Sequence, residues 1–339
     1  MEEVMKPTNF SIQLTNFLSQ YLSGQRNLSS NTIKSYRDTF ILLLEFFRDV
    51  KNISVERICI EHINVALIEE FLKHLEKERC CKICTLNHRL ATLHAFFRYI
   101  QITSPENLLQ CQQILSIPLR RFVRETVEYL SKEHLAILLA QPNLNTQDGR
   151  RDAVLLSVLY DTGSRVQEII DMSVGDLRLT NPAQIRILGK GRKIRIVPLM
   201  QNTVKFLQDY LREFQLETPD KFDHPLFQSH CGKRLSRSGV RYIFLKYALQ
   251  VRKEHPEFNK SISPHSLRHT KGMHLLQGGV SLDIIRDFLG HVDIKTTEIY
   301  ARANLEMKRA AIEKLSKAPT PKLPSWKENK SLLRWLQSL

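Results

Sequence analysis

The chain has 339 residues, 42% hydrophobic and 25% charged, which is more than one ordinary domain and suits a globular protein of about two domains with ample core. Fifty lysines and arginines against 35 acidic residues leave a net charge of +15, a bias toward polyanionic partners, nucleic acid foremost. No apolar run approaches the roughly 20 residues of a membrane span; the opening MEEVMKPTNFSIQL is acidic and then polar rather than a secretory signal, and six cysteines without such a signal point to reduced thiols in a cytoplasm.

The first 100 residues read as helices. Phe10, Leu14, Phe17, Leu18, Tyr21 and Leu22 recur at helical spacing. SSNT at 29–32 is a helix start signal, and Ile33, Tyr36, Phe40, Leu43, Leu44 and Phe47 follow on one stripe. Residues 64–78 and 85–100 give two further amphipathic stretches, completing a four-helix unit with basic polar faces. Arg89 and Arg98 on the last of these are candidate DNA contacts. Cys80, Cys81 and Cys84 with His88 have zinc-like spacing, but no second half-site lies nearby and the residues from 85 read as helix. Thiols at a helix–helix turn are the simpler account.

After Pro105 the pattern weakens. IPLRRFVRETVEYLS at 117–131 reads as an interdomain linker whose Arg120, Arg121 and Arg124 are placed to meet phosphates. Ser131 then caps a helix, a second spans about 149–163 up to DTGSR, and a third begins near Val166. Between 184 and 198 the period changes to two, and QIRIL and KIRIVPL flank GKGR as a hairpin. Helices resume at 200–215, 236–254, 265–277, 281–289 and about 294–316, with Gly278-Gly279 and Gly290 at C-cap positions. The tail APTPKLPSWKENKSLLRWLQSL ends in a short amphipathic helix at 331–339, which its prolines tether for docking on the parent domain or on a neighbouring subunit. The sum is a mainly α fold with a small antiparallel β-sheet.

The stretch SPHSLRHT sets His265, Arg268 and His269 within five positions. A zinc reading puts His265 and His269 on one helical face with His274 further on, but an arginine beside the ligands repels a dication. An anion fits better. Arg268 offers a planar fork of donors for phosphoryl oxygens, and His265 a hydrogen bond or proton near neutral pH. Arg165 lies just after a glycine turn at a helix start, where backbone N–H groups also favour an anion. Lys190 sits at the hairpin tip, His291 follows a helix C-terminus in FLGHVDIKTTEIY, and Tyr300 follows nine residues later. Together these are the parts for metal-free phosphoryl transfer through a covalent intermediate.

At these residues the chain resembles the tyrosine recombinase (phage-integrase) family. The matches are TGSRVQEI, GKGRKIRIVPL and SPHSLRHTKGMHLLQGGVSLDIIRDFLGHVDIKTTEIYARA, in that order, with SSNTIKSYRDTFILLLEFF and TLNHRLATLHAFFRYI resembling the family's core-binding domain. The resemblance covers about residues 10–316. It implies a two-domain clamp on duplex DNA: a helical SAM-like core-binding domain at 1–116, a basic linker at 117–127, a catalytic domain at 128–318, and a proline-rich tether with a subunit-exchange helix at 319–339. It implies Tyr300 as nucleophile, Arg165 and Arg268 as clamps of the non-bridging oxygens, and Lys190 as proton donor to the leaving 5′ oxygen. His265 and His291 would assist on the phosphate and nucleophile sides, Glu168 would buttress the site, and His269 would orient its neighbours. No cofactor or metal is implied. The partners implied are recombination-site DNA, a homotetramer on two duplexes, and sister recombinases. Three features depart from or blur the pattern: Ser164 replaces an apolar residue, Lys271-Gly272 replaces an apolar–small pair, and Lys193 competes with Lys190 for the donor's role. Two other classes stay open: a relaxing enzyme of the type IB topoisomerase kind, and a site-specific DNA-binding protein without chemistry.

Overall fold

A computed structural model describes residues 6–122, 128–189, 191, 193–258, 261–291, 293–303 and 332–337. The chain divides into two compact units, 1–124 and 125–339.

The first unit holds α1 (Asn9–Asn16), which runs on as a wider π-type turn Phe17–Gln25, then α2 (Ser30–Asp49), α3 (Val65–Lys77), α4 (Ile83–Thr103) and α5 (Leu108–Leu115). Local chemistry sets the starts: the Ser29 hydroxyl accepts the Thr32 N–H, and the Asn64 side chain accepts that of Leu67. The apolar stripes converge on an aromatic centre in which Phe96 meets Phe17 at 5.3 Å and Phe40 at 5.1 Å, both edge-on. The helix α5 is not announced by the sequence. It has eight residues, starts from the turn at Pro105 and buries only Cys111 and Ile114, too short a stripe for periodicity to reveal.

The second unit contains α6 (Lys132–Leu139), α7 (Gln147–Thr162), α8 (Val166–Asp171), β1 (Leu177–Arg178), β2 (Gln184–Leu188), β3 (Ile194–Pro198), α9 (Gln201–Glu213), α10 (Arg237–Glu254), α11 (Pro264–Gln277), α12 (Leu282–Leu289) and α13 (Glu298–Ala303). A further helix, α14 (Leu332–Gln337), lies in the tail. The hairpin forms as expected, with Ile185 opposite Val197 and Ile187 opposite Arg195, and the two-residue β1 adds a third antiparallel strand that the sequence pattern does not signal. The helix expected from 294 is broken instead: a 3₁₀ turn Ile294–Thr296 precedes α13, and the rest of that reading lies outside the described residues. Apolar faces of α6, α7, α9, α10 and the sheet enclose the main core, against which α11 packs through Leu267. Among the described residues no helix is long and apolar enough to cross a membrane, and no three His, Cys, Asp or Glu side chains stand close enough to hold a metal ion.

Candidate active site

The site is built where α7 stops. Gly163 takes a left-handed conformation (φ 57°) that ends the helix, and a Cβ there would meet Leu289 at 2.6 Å. The chain then turns so that Arg165 becomes the first residue before α8. Ser164 is buried at this turn, and its hydroxyl finds a partner in Thr162 Oγ1 at 2.7 Å, so the departure from an apolar residue leaves no polar atom stranded. The Glu168 carboxylate reaches back to accept the Arg165 N–H (2.9 Å) and Nη1 (2.7 Å). It is buried and takes a third bond from Arg195 Nη2 at 2.7 Å. Burial pulls the Glu168 pKa up, but Arg195 and Arg165 more than offset this and hold it below the ordinary carboxylate value.

Arg195 is the functional-site residue that motif reading passed over. In β3 the isoleucines point outward, Ile194 57% and Ile196 61% exposed, while Arg195 shares the inward face with Val197. Its Nε donates to the Phe288 carbonyl at 3.1 Å, next to Gly290, where a Cβ would come within 3.1 Å of it. One guanidinium therefore ties the hairpin, Glu168 and the end of α12 together. The alternation itself gave no signal, because Ile194 and Ile196 argue for the opposite face as the inner one.

The helix α11 carries His265, Arg268, His269 and Gly272 along one side, as i, i+3, i+4 and i+7 spacing requires. Arg268 is 1% exposed, and its two terminal nitrogens donate to the carbonyls of Gly163 (2.7 Å) and Leu289 (2.6 Å). It thus pins α11 to both turns, the one bearing Arg165 and the one bearing His291. Burial lowers its pKa to about 9, Arg165 adding to the effect, and it remains a cation at neutral pH. His265 reaches solvent at the head of the helix, yet desolvation by the surrounding protein, then Arg268 and Arg165, lower its pKa. His291 follows the left-handed cap Gly290 and shares a hydrogen bond with Thr297 Oγ1 at 2.9 Å. Its pKa falls to about 3 through burial and then Arg268 and Arg165.

Tyr300, on α13, is fully buried. Its ring lies flush on Gly272, where a Cβ would stand 2.6 Å from Cζ, so glycine in that departure from the family pattern gives the ring its seat. The His291 ring stacks alongside at 6.4 Å, and the Tyr300 hydroxyl lies 3.2 Å from His269 Nδ1. Burial pushes the Tyr300 pKa up to about 12 against the pull of Arg268 and Arg165. Lys271, the other half of that departure, is buried against the Asp161 carboxylate (3.2 Å) and the rings of Tyr160 and Phe288. Asp161 also accepts the Met200 N–H at 2.8 Å.

Arg165, His265, Arg268, His291 and Tyr300 thus come together from four segments. Lys190 lies outside the described residues; Lys193 is exposed, its carbonyl accepting the Gly189 N–H at 2.8 Å. Of the arginines in the first unit, Arg89 is spent on Ser35 O and Thr39 Oγ1, joining α2 to α4, and Arg120 pairs with Glu76 at 2.7 Å. Arg98 and Arg121 are exposed, and Arg124 lies outside the described residues.

Residues 128–307 match the model of the phage integrase family, and residues 15–102 match that of the phage integrase N-terminal SAM-like domain. The chain belongs to the phage integrase family, the tyrosine recombinases. An integrase/recombinase of Sinorhizobium fredii, y4rC, is 38% identical over 328 residues, covering 96% of this chain and 97% of that protein. The tyrosine recombinase XerD of Staphylococcus epidermidis is 31% identical over 84% of this chain and 92% of its own. The Tn1549 transposon integrase, solved in complex with a circular intermediate DNA, shares the integrase fold with a TM-score of 0.68 at 18% identity, over 91% of this chain and all of the other.

Proposed function

We propose that this integrase-family protein is a site-specific DNA recombinase that cuts and rejoins duplex DNA through a 3′-phosphotyrosyl intermediate. The observation that carries the reading is the meeting of Tyr300 with Arg268, His269 and His291 in one cationic pocket, with Arg165 at its rim. Tyr300 Oη attacks the scissile phosphorus, the bond to the 5′ oxygen breaks, and Lys190 supplies the proton that oxygen needs. Arg165 and Arg268 hold the non-bridging oxygens and oppose the charge that builds on them in the transition state. His265 hydrogen-bonds the phosphate, while His291 supports the nucleophile. One phosphodiester is exchanged for another of similar energy, so ligation needs no nucleotide and no metal.

The same reading assigns 1–116 to gripping DNA, 117–127 to a basic linker, 128–318 to catalysis and 319–339 to exchange with a neighbouring subunit. It takes the working assembly to be a homotetramer on two duplexes, open to sister recombinases, that moves a mobile element or resolves DNA dimers. The exposure of Leu336 on α14 supports the tail's assignment to a partner.

The test uses duplexes from the ends of the DNA element that encodes the protein, nicked just downstream of the cleavage point so that the adduct is trapped. An adduct in the wild type, indifferent to EDTA and absent in Tyr300→Phe, is expected on denaturing gels. Equal adduct in Tyr300→Phe would overturn the reading. Removal of 325–339 should weaken assembly more than DNA binding, and equal loss of both would overturn the assignment of the tail.

A further inference from the structure

We infer that His269 is a catalytic residue: its Nδ1 accepts the proton of the Tyr300 hydroxyl when the tyrosine attacks phosphorus. The inference deepens the recombinase reading and rests on it.

Geometry comes first. The side of α11 that faces Tyr300 runs His265, His269, Gly272, from solvent inward. The absent side chain at 272 lets the tyrosine ring lie flat on the helix. With the ring seated there, the hydroxyl lands one turn back along α11, 3.2 Å from His269 Nδ1. Among the described residues no other side chain is in hydrogen-bond contact with that hydroxyl. The His291 ring lies parallel to the tyrosine ring and bonds Thr297 instead, and the His265 ring meets that of His269 edge-on at 4.5 Å.

A proton acceptor must be neutral, with its acceptor nitrogen toward the donor. His269 satisfies the first condition, because burial, and then His265 and Arg268, lower its pKa to about 4. The second condition requires the tautomer protonated on Nε2, which leaves the Nδ1 lone pair for the O–H. The groups that surround the pair are His265 and Arg268 from α11, Arg165 just before α8, Glu168 from α8, Arg195 from β3 and His291 beyond α12. The excess of cations disfavours an imidazolium in the free protein. A phosphodiester seated on Arg165 and Arg268 cancels part of that field and raises the basicity of His269 as the substrate arrives. The step balances: the Tyr300 O–H bond breaks and its proton goes to Nδ1, the O–P bond forms, and the P–O5′ bond breaks with the 5′ oxygen taking a proton from Lys190. On religation the imidazolium returns its proton to the tyrosine.

The test has an arm without DNA and an arm with it. In the full chain labelled with ¹⁵N-histidine, His269 Nδ1 should be unprotonated at pH 7, and its resonance should move in Tyr300→Phe. An Nδ1-protonated ring, or a resonance indifferent to Tyr300→Phe, refutes the contact. On the nicked duplexes, His269→Ala should slow adduct formation about 100-fold at pH 7. That deficit should shrink as pH rises, because hydroxide then ionises the tyrosine directly. His269→Asn keeps a polar atom near the hydroxyl but is not a base, and should stay slow. A deficit equal at every pH, or recovery in His269→Asn, assigns His269 a purely structural role. A wild type that forms no adduct overturns the recombinase reading and the catalytic role together, and the NMR arm separates that result from loss of the contact itself.

Discussion

Replacing Arg195 by alanine tests how the hairpin is coupled to the rest of the site. The guanidinium is 10% exposed and makes a 2.7 Å bond to a Glu168 carboxylate that is itself 6% exposed. Coulomb attraction at that distance is ~6 kcal/mol gross at an effective dielectric near 20, and desolvation of both ions cancels much of it. Breaking such a pair by removing one partner typically costs about 3–5 kcal/mol. Glu168 keeps Arg165, so the cost falls to the bottom of that range or just below it, about 2–3 kcal/mol. For a unit of 215 residues (125 to 339) this lowers its Tm by about 5–10 °C. Circular dichroism melts of the full chain measure it, with Glu168→Gln and the double variant closing a cycle. The sign with pH follows from the depressed Glu168 pKa. Its stabilisation is present above the ordinary carboxylate range and is lost as pH falls through the folded-state value, so wild type and variant should converge in acid. A cost below ~1 kcal/mol at pH 7, or a coupling energy below ~0.5 kcal/mol, would falsify the reasoning.

Three further outcomes follow from the same packing. His269 and His291 have folded pKa values lowered to about 4 and about 3, against an unfolded value near 6.5. Their contribution is therefore complete above pH 6.5 and drains as pH falls toward 4, and denaturant melts should show a loss of about 2–4 kcal/mol by pH 5; a flat profile refutes it. Gly272→Ala should cost about 1–2 kcal/mol, the gain in helix propensity offsetting only part of the burial the displaced ring loses, and make Tyr300 open to nitration by tetranitromethane. A tyrosine still protected would mean that the ring is not seated on Gly272. Lys271→Met strands the buried Asp161 carboxylate and should cost about 3 kcal/mol, much of it regained on adding Asp161→Asn; unfolding curves that show no cost refute the pairing.

Much of the fold was legible because it is local. Ser29 and Ser131 cap the helices that follow them, the hairpin sits where period two replaces period 3.6, and the glycines at 278 and 290 end their helices. The misses have physical causes. The helix α5 is too short to show a stripe, and β1 is two residues long and owes its existence to the edge of β2. At the break before α13 the Thr297 hydroxyl is engaged by His291, a side-chain bond that helical periodicity does not register.

The sequence by itself determined the chemical inventory of the site: an arginine after a glycine turn, a basic hairpin, an HxxRH helix start and a tyrosine nine residues beyond a histidine. These follow from residue type and spacing, which local structure and family resemblance both register. The tertiary structure decided what each group touches. Arg195 turns inward although the isoleucines around it suggest an apolar inner face, because a buried carboxylate and a free carbonyl await it there. Arg89 looks free for DNA on a helical wheel but is drawn into the seam between two helices. His269 meets the tyrosine hydroxyl only because a glycine three residues on leaves room for the ring. Such contacts join residues 27 to 93 apart in the chain, and their energies depend on burial and on partners that only the closed fold supplies.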